Sequence, residues 1–198
     1  MRRIMDAVER VVVLTLFLLL LYRFRLSLQV NWLNIVYMVS DGLIVAMLLF
    51  RRSTDQISVN ARDWLFGFIG SFASMMIYPG RLIEALVPLA AILMFGGFVI
   101  GVTATLSLNR SFGVVAANRG VKTAGAYEFV RHPMYLGYFL SQTAMLILNF
   151  SLWNVVLLST WAVFQFLRIQ AEERVLARDP AYKSYMSLVR YRLVPLIY

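Results

Sequence analysis

At 198 residues the chain suits a single domain, but 61% of it is hydrophobic, only 15% is charged and the mean hydropathy is +0.73, which excludes an ordinary soluble globule. The absence of cysteine excludes disulfides, thiolate metal sites and a cysteine nucleophile, and a single histidine leaves no zinc ligand set to assemble. The net charge of +9 is read as membrane orientation plus attraction to anionic headgroups, not as nucleic-acid binding.

The first apolar run, residues 11–22 and extendable to 28, ends in Leu21-Tyr22-Arg23-Phe24-Arg25 where a signal peptidase would need small residues, so a retained helix is expected. Runs at 33–50 and 64–78 follow, with a polar connector from Arg51 to Asp63 between them. The fourth run, 86–106, contains Gly96, Gly97 and Gly101, where another helix or a ligand could approach the backbone; helix packing is the plainer use. Runs five and six, 134–148 and 152–167, are joined only by Asn149-Phe150-Ser151 and must form an antiparallel hairpin whose far ends are neighbours.

The expected fold is therefore all-α, a multi-pass transmembrane bundle of about six helices (five to six). Several runs fall short of the roughly 20 residues a bilayer requires and must borrow flanking residues or thin the membrane. With both termini cytoplasmic and six crossings, 16 of the 19 basic residues fall inside: Arg2, Arg3, Arg10, Arg51, Arg52, Arg62, Arg110, Arg119, Lys122, Arg131, Arg168, Arg174, Arg178, Lys183, Arg190 and Arg192. Only Arg23, Arg25 and Arg81 fall outside. Residues 1–105 read as scaffold helices and 106–198 as a functional core, within one integrated domain.

The core opens on a polar stretch that includes Ser107, Asn109, Arg110, Ser111, Gly113, Asn118, Arg119, Gly120 and Gly125, and a loop of this length is more often functional than idle. The only histidine follows, in Arg131-His132-Pro133-Met134-Tyr135. Pro133 pushes His132 toward extended backbone and itself suits a helix start. His132 is thus expected at a helix N-terminus, where free N–H groups favour an anionic ligand group. Alone, a lone histidine is more often a hydrogen-bonding anchor than a catalyst.

Arg168 and Glu172, four residues apart, share a helix face about 6 Å apart along the axis. By themselves they read as an interfacial ion pair. Glu173 points about 100° away from Glu172, so the two do not form an acid–base dyad; one faces the site and the other solvent or a basic loop residue. No nucleophile elbow and no Walker loop is present. The tail, broken by Asp179-Pro180, carries Tyr182, Tyr185 and Leu193-Val194-Pro195-Leu196-Ile197 and reads as an amphipathic flap.

Taken together, Gly125-Ala126-Tyr127-Glu128-Phe129-Val130-Arg131-His132-Pro133-Met134-Tyr135-Leu136-Gly137, an apolar hairpin, Arg168-Ile169-Gln170-Ala171-Glu172-Glu173 and Tyr182-Lys183-Ser184-Tyr185 resemble the isoprenylcysteine carboxyl methyltransferase family. The resemblance extends to the wider membrane methyltransferases of phospholipids and other lipids, and covers about residues 106–195. It implies an integral membrane enzyme that binds S-adenosylmethionine in a cytoplasmic pocket open sideways to lipid, without metal or nucleic acid. Tyr127, Arg131, His132, Pro133, Met134 and Tyr135 would contact the cofactor, with loop contacts from Val121 and Lys122. Glu172, with Glu173 beside it, would hold the cofactor from the last helix. Arg168 takes the place of the arginine that addresses the substrate, and is the catalytic candidate.

The implied reaction is methylation of a lipid or lipid-modified amphiphile, with carboxyl O-methylation favoured. Two departures from the family pattern, Ala126 for proline in G-P-Y and a segment between Glu173 and Tyr182 about one residue shorter, bear on the pocket's lid. Two other readings stay open: an NADPH-dependent membrane reductase akin to sterol reductases, which are usually much longer, or a non-catalytic membrane module.

Overall fold

The computed structural model describes residues 2–29, 31–50, 58, 60–108, 111, 113–118 and 120–197, with side chains from residue 10 onward. Arg51, Arg52, Asn109, Arg110 and Arg119, named above, lie outside the described residues, as do the side chains of Arg2 and Arg3. Among the described residues seven α-helices form: α1 (Arg2–Phe24), α2 (Leu33–Leu49), α3 (Ala61–Phe72), α4 (Val87–Leu108), α5 (Pro133–Leu148), α6 (Leu152–Leu176) and α7 (Pro180–Leu188). Among the described residues there is no strand, and an antiparallel bridge between Arg81 and Phe150 ties the segment before α4 to the α5–α6 turn.

The helix starts follow from local chemistry. Ser151 caps α6 by accepting from the Asn154 N–H at 3.1 Å, Asp179 caps α7 by accepting from the Ala181 N–H at 2.9 Å, and Asn60 caps α3 through the Arg62 N–H at 3.0 Å. Pro133 and Pro180 occupy first turns, where a missing N–H costs nothing.

Two helical stretches of 25 residues each, Glu84–Leu108 and Leu152–Leu176, are long and apolar enough to cross a bilayer, and α2 is a shorter apolar helix. The expected span at 64–78 does not form as one helix. α3 stops after 12 residues, about 18 Å, and gives way to a 3-10 turn over Ala73–Met76. The carbonyls freed there are taken by side chains: Tyr37 donates to Ser74 O, Arg23 to Met75 O and Trp153 to Met76 O, each at 3.3 Å. Tertiary partners thus replace the helix ladder.

α4 and α5 pack backbone against backbone. A Cβ on Gly137 would lie 2.7 Å from the Gly101 nitrogen and 2.8 Å from the Gly97 oxygen, while one on Gly97 would lie 2.7 Å from the Gly137 oxygen. Small residues permit this approach where no hydrophobic drive separates lipid from helix. Gly137→Val is expected to destabilise the protein by about 1–3 kcal/mol, because the atoms in the way are main chain and cannot rotate aside. Thermal unfolding in detergent checks this, and a melting point equal to the parent's contradicts it.

Candidate functional site

The hairpin brings the start of α5 against the end of α6. Glu173, on α6, is buried and collects three partners: its Oε1 accepts from Arg131 Nε at 2.7 Å and lies 3.2 Å from His132 Nε2, and its Oε2 accepts from Arg192 Nε at 2.7 Å. Arg131 Nη1 donates onward to the carbonyls of Val189 and Arg190 at 2.9 and 2.7 Å. The backbone N–H groups of Arg131 and His132 bond Tyr191 O and Arg192 O at 2.9 and 2.8 Å. The segment after α7 is thereby strapped along the histidine motif, and Leu193 is buried with Tyr135 and Ile169.

Glu172, one residue earlier, faces the other way. Its Oε1 accepts from the Tyr135 hydroxyl and from Arg168 Nε, the latter at 3.2 Å, and its Oε2 takes no hydrogen bond from the described residues. Arg168 is held on all sides: Nη1 donates to Ser71 Oγ at 2.8 Å, Nη2 to Gly113 O at 2.9 Å, and the guanidinium sits 5.2 Å above the Tyr135 ring. The fork geometry of arginine accounts for this three-way tie, which lysine could not reproduce.

Around these groups lies a cavity. Val121, Lys122, Tyr127, Arg131, His132, Met134, Tyr135, Arg168 and Glu172 line it together, joined by Gly113, Val115, Leu176, Tyr182 and Tyr185. Pro133 and Glu173, both expected as cofactor contacts, do not line it. Pro133 serves the helix start, and Glu173 is turned by the 100° step between successive residues into the Arg131–His132–Arg192 cluster behind the wall.

The cavity's chemistry is mixed. No side chain caps α5, so the N–H groups of Met134 and Tyr135 sit in the first turn without an intrahelical partner. The buried Tyr182 hydroxyl has no hydrogen-bond partner among the described residues. Burial pushes the Tyr185 phenol up to about 12 and holds the Tyr127 and Tyr182 phenols well above the usual tyrosine range, so all three stay protonated donors at neutral pH. Tyr185 uses its proton to bond Tyr127 O at 2.6 Å, which fixes the 3-10 turn Gly125–Glu128 beneath the cavity. That turn starts at Gly125, whose φ of +69° lies in the left-handed region glycine tolerates.

Several participants escaped the site expected from sequence. Arg192 and the carbonyls of residues 189–192 carry no motif of their own. Ser71 and Gly113 meet Arg168 only because α3 and the loop after α4 converge on α6. Tyr182 and Tyr185 were visible as a Tyr-x-x-Tyr pair on a short helix, which places both on one face.

Helices apolar enough for a bilayer, a polar cavity where a helical hairpin's ends meet, and donors and a carboxylate converging inside it define the class: an all-helical protein of membrane type with a polar cavity at the hairpin's ends. The family follows from the sequence of that same hairpin. Residues 86–178, from the start of α4 to just past α6, match the model of the isoprenylcysteine carboxyl methyltransferase (ICMT) family. A comparison with curated proteins returns no match.

Proposed function

We propose that the protein is a multi-pass integral membrane methyltransferase that uses S-adenosylmethionine, with its cofactor site on the cytoplasmic side, and that carboxyl O-methylation of a lipid or lipid-modified acceptor is its reaction. The family match supports methyl transfer. The observation that carries the rest is the shared cavity, in which Glu172 Oε2, the Met134 and Tyr135 N–H groups and the Tyr182 hydroxyl are all without hydrogen-bond partners among the described residues.

These groups fit the methyl donor. It brings a sulfonium cation, for which Glu172 is the complementary charge, and an amino-acid carboxylate, which suits the first turn of α5. Tyr182 offers a further donor, and the aromatic walls of Tyr127, Tyr135 and Tyr185 exclude water. When bound, S-adenosylmethionine supplies an electrophilic methyl group for in-line displacement by an acceptor oxygen. A carboxylate acceptor needs no general base, so the protein's task is alignment, which can supply up to roughly 7–11 kcal/mol of a barrier. Arg168 has N–H groups left over from its three bonds with which to orient that carboxylate.

Isothermal titration of the detergent-purified protein with S-adenosylmethionine and with NADPH tests the reading; no binding of the first, or tight binding of the second, overturns it. Incubating lipid extracts with the protein and radiolabelled cofactor then looks for a methylated amphiphile. Arg168→Ala is expected to lower methyl transfer by about 100-fold or more while S-adenosylmethionine affinity changes little. Equal loss of both would make Arg168 a structural tie instead.

A further inference from the structure

Arg168 also borders a second, smaller space, lined by residues of α2, α3, α5 and α6. It has room for about one or two water molecules and for no larger ligand. Of the six buried side-chain polar atoms without a hydrogen-bond partner among the described residues, four belong to residues lining this space: Asp41 Oδ2, the Tyr138 hydroxyl, Gln142 Oε1 and Gln165 Oε1. Asp41 is 6% exposed, Gln142 5% and Gln165 1%. Bare polar groups at this depth are costly, so four of them around one small space call for a small polar partner.

Water fits both the size and the chemistry. Gln142 is held in one orientation, because its Nε2 donates to the Tyr37 hydroxyl at 3.0 Å and that hydroxyl donates to Ser74 O. Its Oε1, Gln165 Oε1 and an Asp41 carboxylate oxygen are acceptors, while the Tyr138 hydroxyl can also donate. Water brings O–H groups for the first three and lone pairs for Tyr138 and for an arginine N–H. Arg168 has one to offer: its Nη1 donates to Ser71 Oγ at 2.8 Å and carries a second hydrogen, and Ser71 lines the space beside it. Gly70 keeps the space open, since a Cβ there would lie 2.8 Å from Gln165 Oε1 and 3.4 Å from Arg168 Cδ.

We propose that this space is an internal water site that links Asp41 to Arg168, and that Asp41 is thereby a positioning residue for methyl transfer. Arg168 is tied directly to Glu172, Ser71 and Gly113, and through water to Asp41. A guanidinium fixed from several sides holds its remaining N–H in one direction, and such support from behind a reacting group is what keeps geometry within catalytic tolerance. Asp41 and Gly70 lie outside residues 86–178, so this chain's own N-terminal helices supply the device. The water site stands on the geometry alone; the positioning role rests on the methyltransferase reading above.

X-ray radiolytic labelling of the full chain in lipid nanodiscs, read by mass spectrometry, detects buried side chains that touch bound water. Met75 lines the space, whereas Met94 and Met145 are buried away from it. Met75 is expected to be labelled several-fold faster than either, and Asp41→Leu to slow it. Methyl transfer from radiolabelled S-adenosylmethionine to a lipid extract should fall about tenfold or more in Asp41→Leu, with calorimetric affinity for S-adenosylmethionine unchanged. Asp41→Asn, whose amide oxygen still accepts from water, should stay within about threefold of the parent. Gln165→Leu should behave like Asp41→Leu and covers the case in which that variant does not fold. Equal labelling of the three methionines means a dry space and overturns the proposal. Parent-like transfer by folded Asp41→Leu and Gln165→Leu, or an equal fall in Asp41→Asn, overturns positioning through water. If the parent binds no S-adenosylmethionine and transfers no methyl group, the methyltransferase reading and the positioning role fall together, while the labelling by itself decides the water site.

Discussion

Replacing Glu173 with alanine is expected to release the C-terminal strap from the start of α5 and to lower stability by about 3–5 kcal/mol. The magnitude follows from what remains behind. Arg131 and His132 are buried, and each loses its carboxylate, while Arg192 loses its bond to Glu173. A buried cation stripped of its counterion costs far more than the pair contributed, because water cannot reach it to take the carboxylate's place. Thermal unfolding in detergent measures the loss, and tryptic cleavage after Arg190 and Arg192 reports the strap directly. Unfolding and cleavage rates equal to the parent's would show that the cluster is a passive surface contact. Glu173→Gln should fall between the two, since the amide oxygen can still accept from Arg131 but brings no charge.

The second large effect concerns the neighbouring residue. Glu172→Gln is expected to weaken S-adenosylmethionine binding by about 1.5–3 kcal/mol, roughly ten- to a hundredfold, with folding nearly intact. Tyr135 and Arg168 both donate to Oε1, so glutamine would present its oxygen to them and turn its NH2 group into the cavity. A donor then stands where a cation is expected to lie. S-adenosylhomocysteine, which lacks the sulfonium charge, should lose much less affinity than S-adenosylmethionine in the same calorimetric titration. Equal losses for the two ligands would mean that Glu172 acts through shape and not charge, and parent-like affinity for both would place the cofactor elsewhere.

Adjacent glutamates thus carry two different jobs, and the sequence already contained the reason. Successive helical residues diverge by about 100°, so Glu172 and Glu173 cannot both face one cavity. Which of them faces it depends on the direction from which Arg131, His132 and Arg192 approach, and that is a matter of how residues 189–192 lie against α5.

The N-terminal half illustrates the opposite case. Residues 64–78 have the composition of one apolar helix, yet Tyr37, Arg23 and Trp153 capture three of its carbonyls from outside and the α-helix ends at Phe72. Asp41 is the only carboxylate within the run 33–50, where an ionisable residue among apolar ones is costly unless it is used.

The sequence by itself determined the all-helical class, through apolar runs separated by polar and proline-bearing breaks, and the juxtaposition of the His132 motif with Arg168 and Glu172. A three-residue turn leaves a hairpin no other geometry. Only the tertiary structure decided that Glu173 is part of a strap, that Arg168 is tied to Ser71 and Gly113, and that Asp41, Gln142 and Gln165 meet around one cavity. The physical reason is range. Periodicity and caps act within a few turns of one helix, whereas these groups come from separate helices and loops that meet only in the tertiary packing.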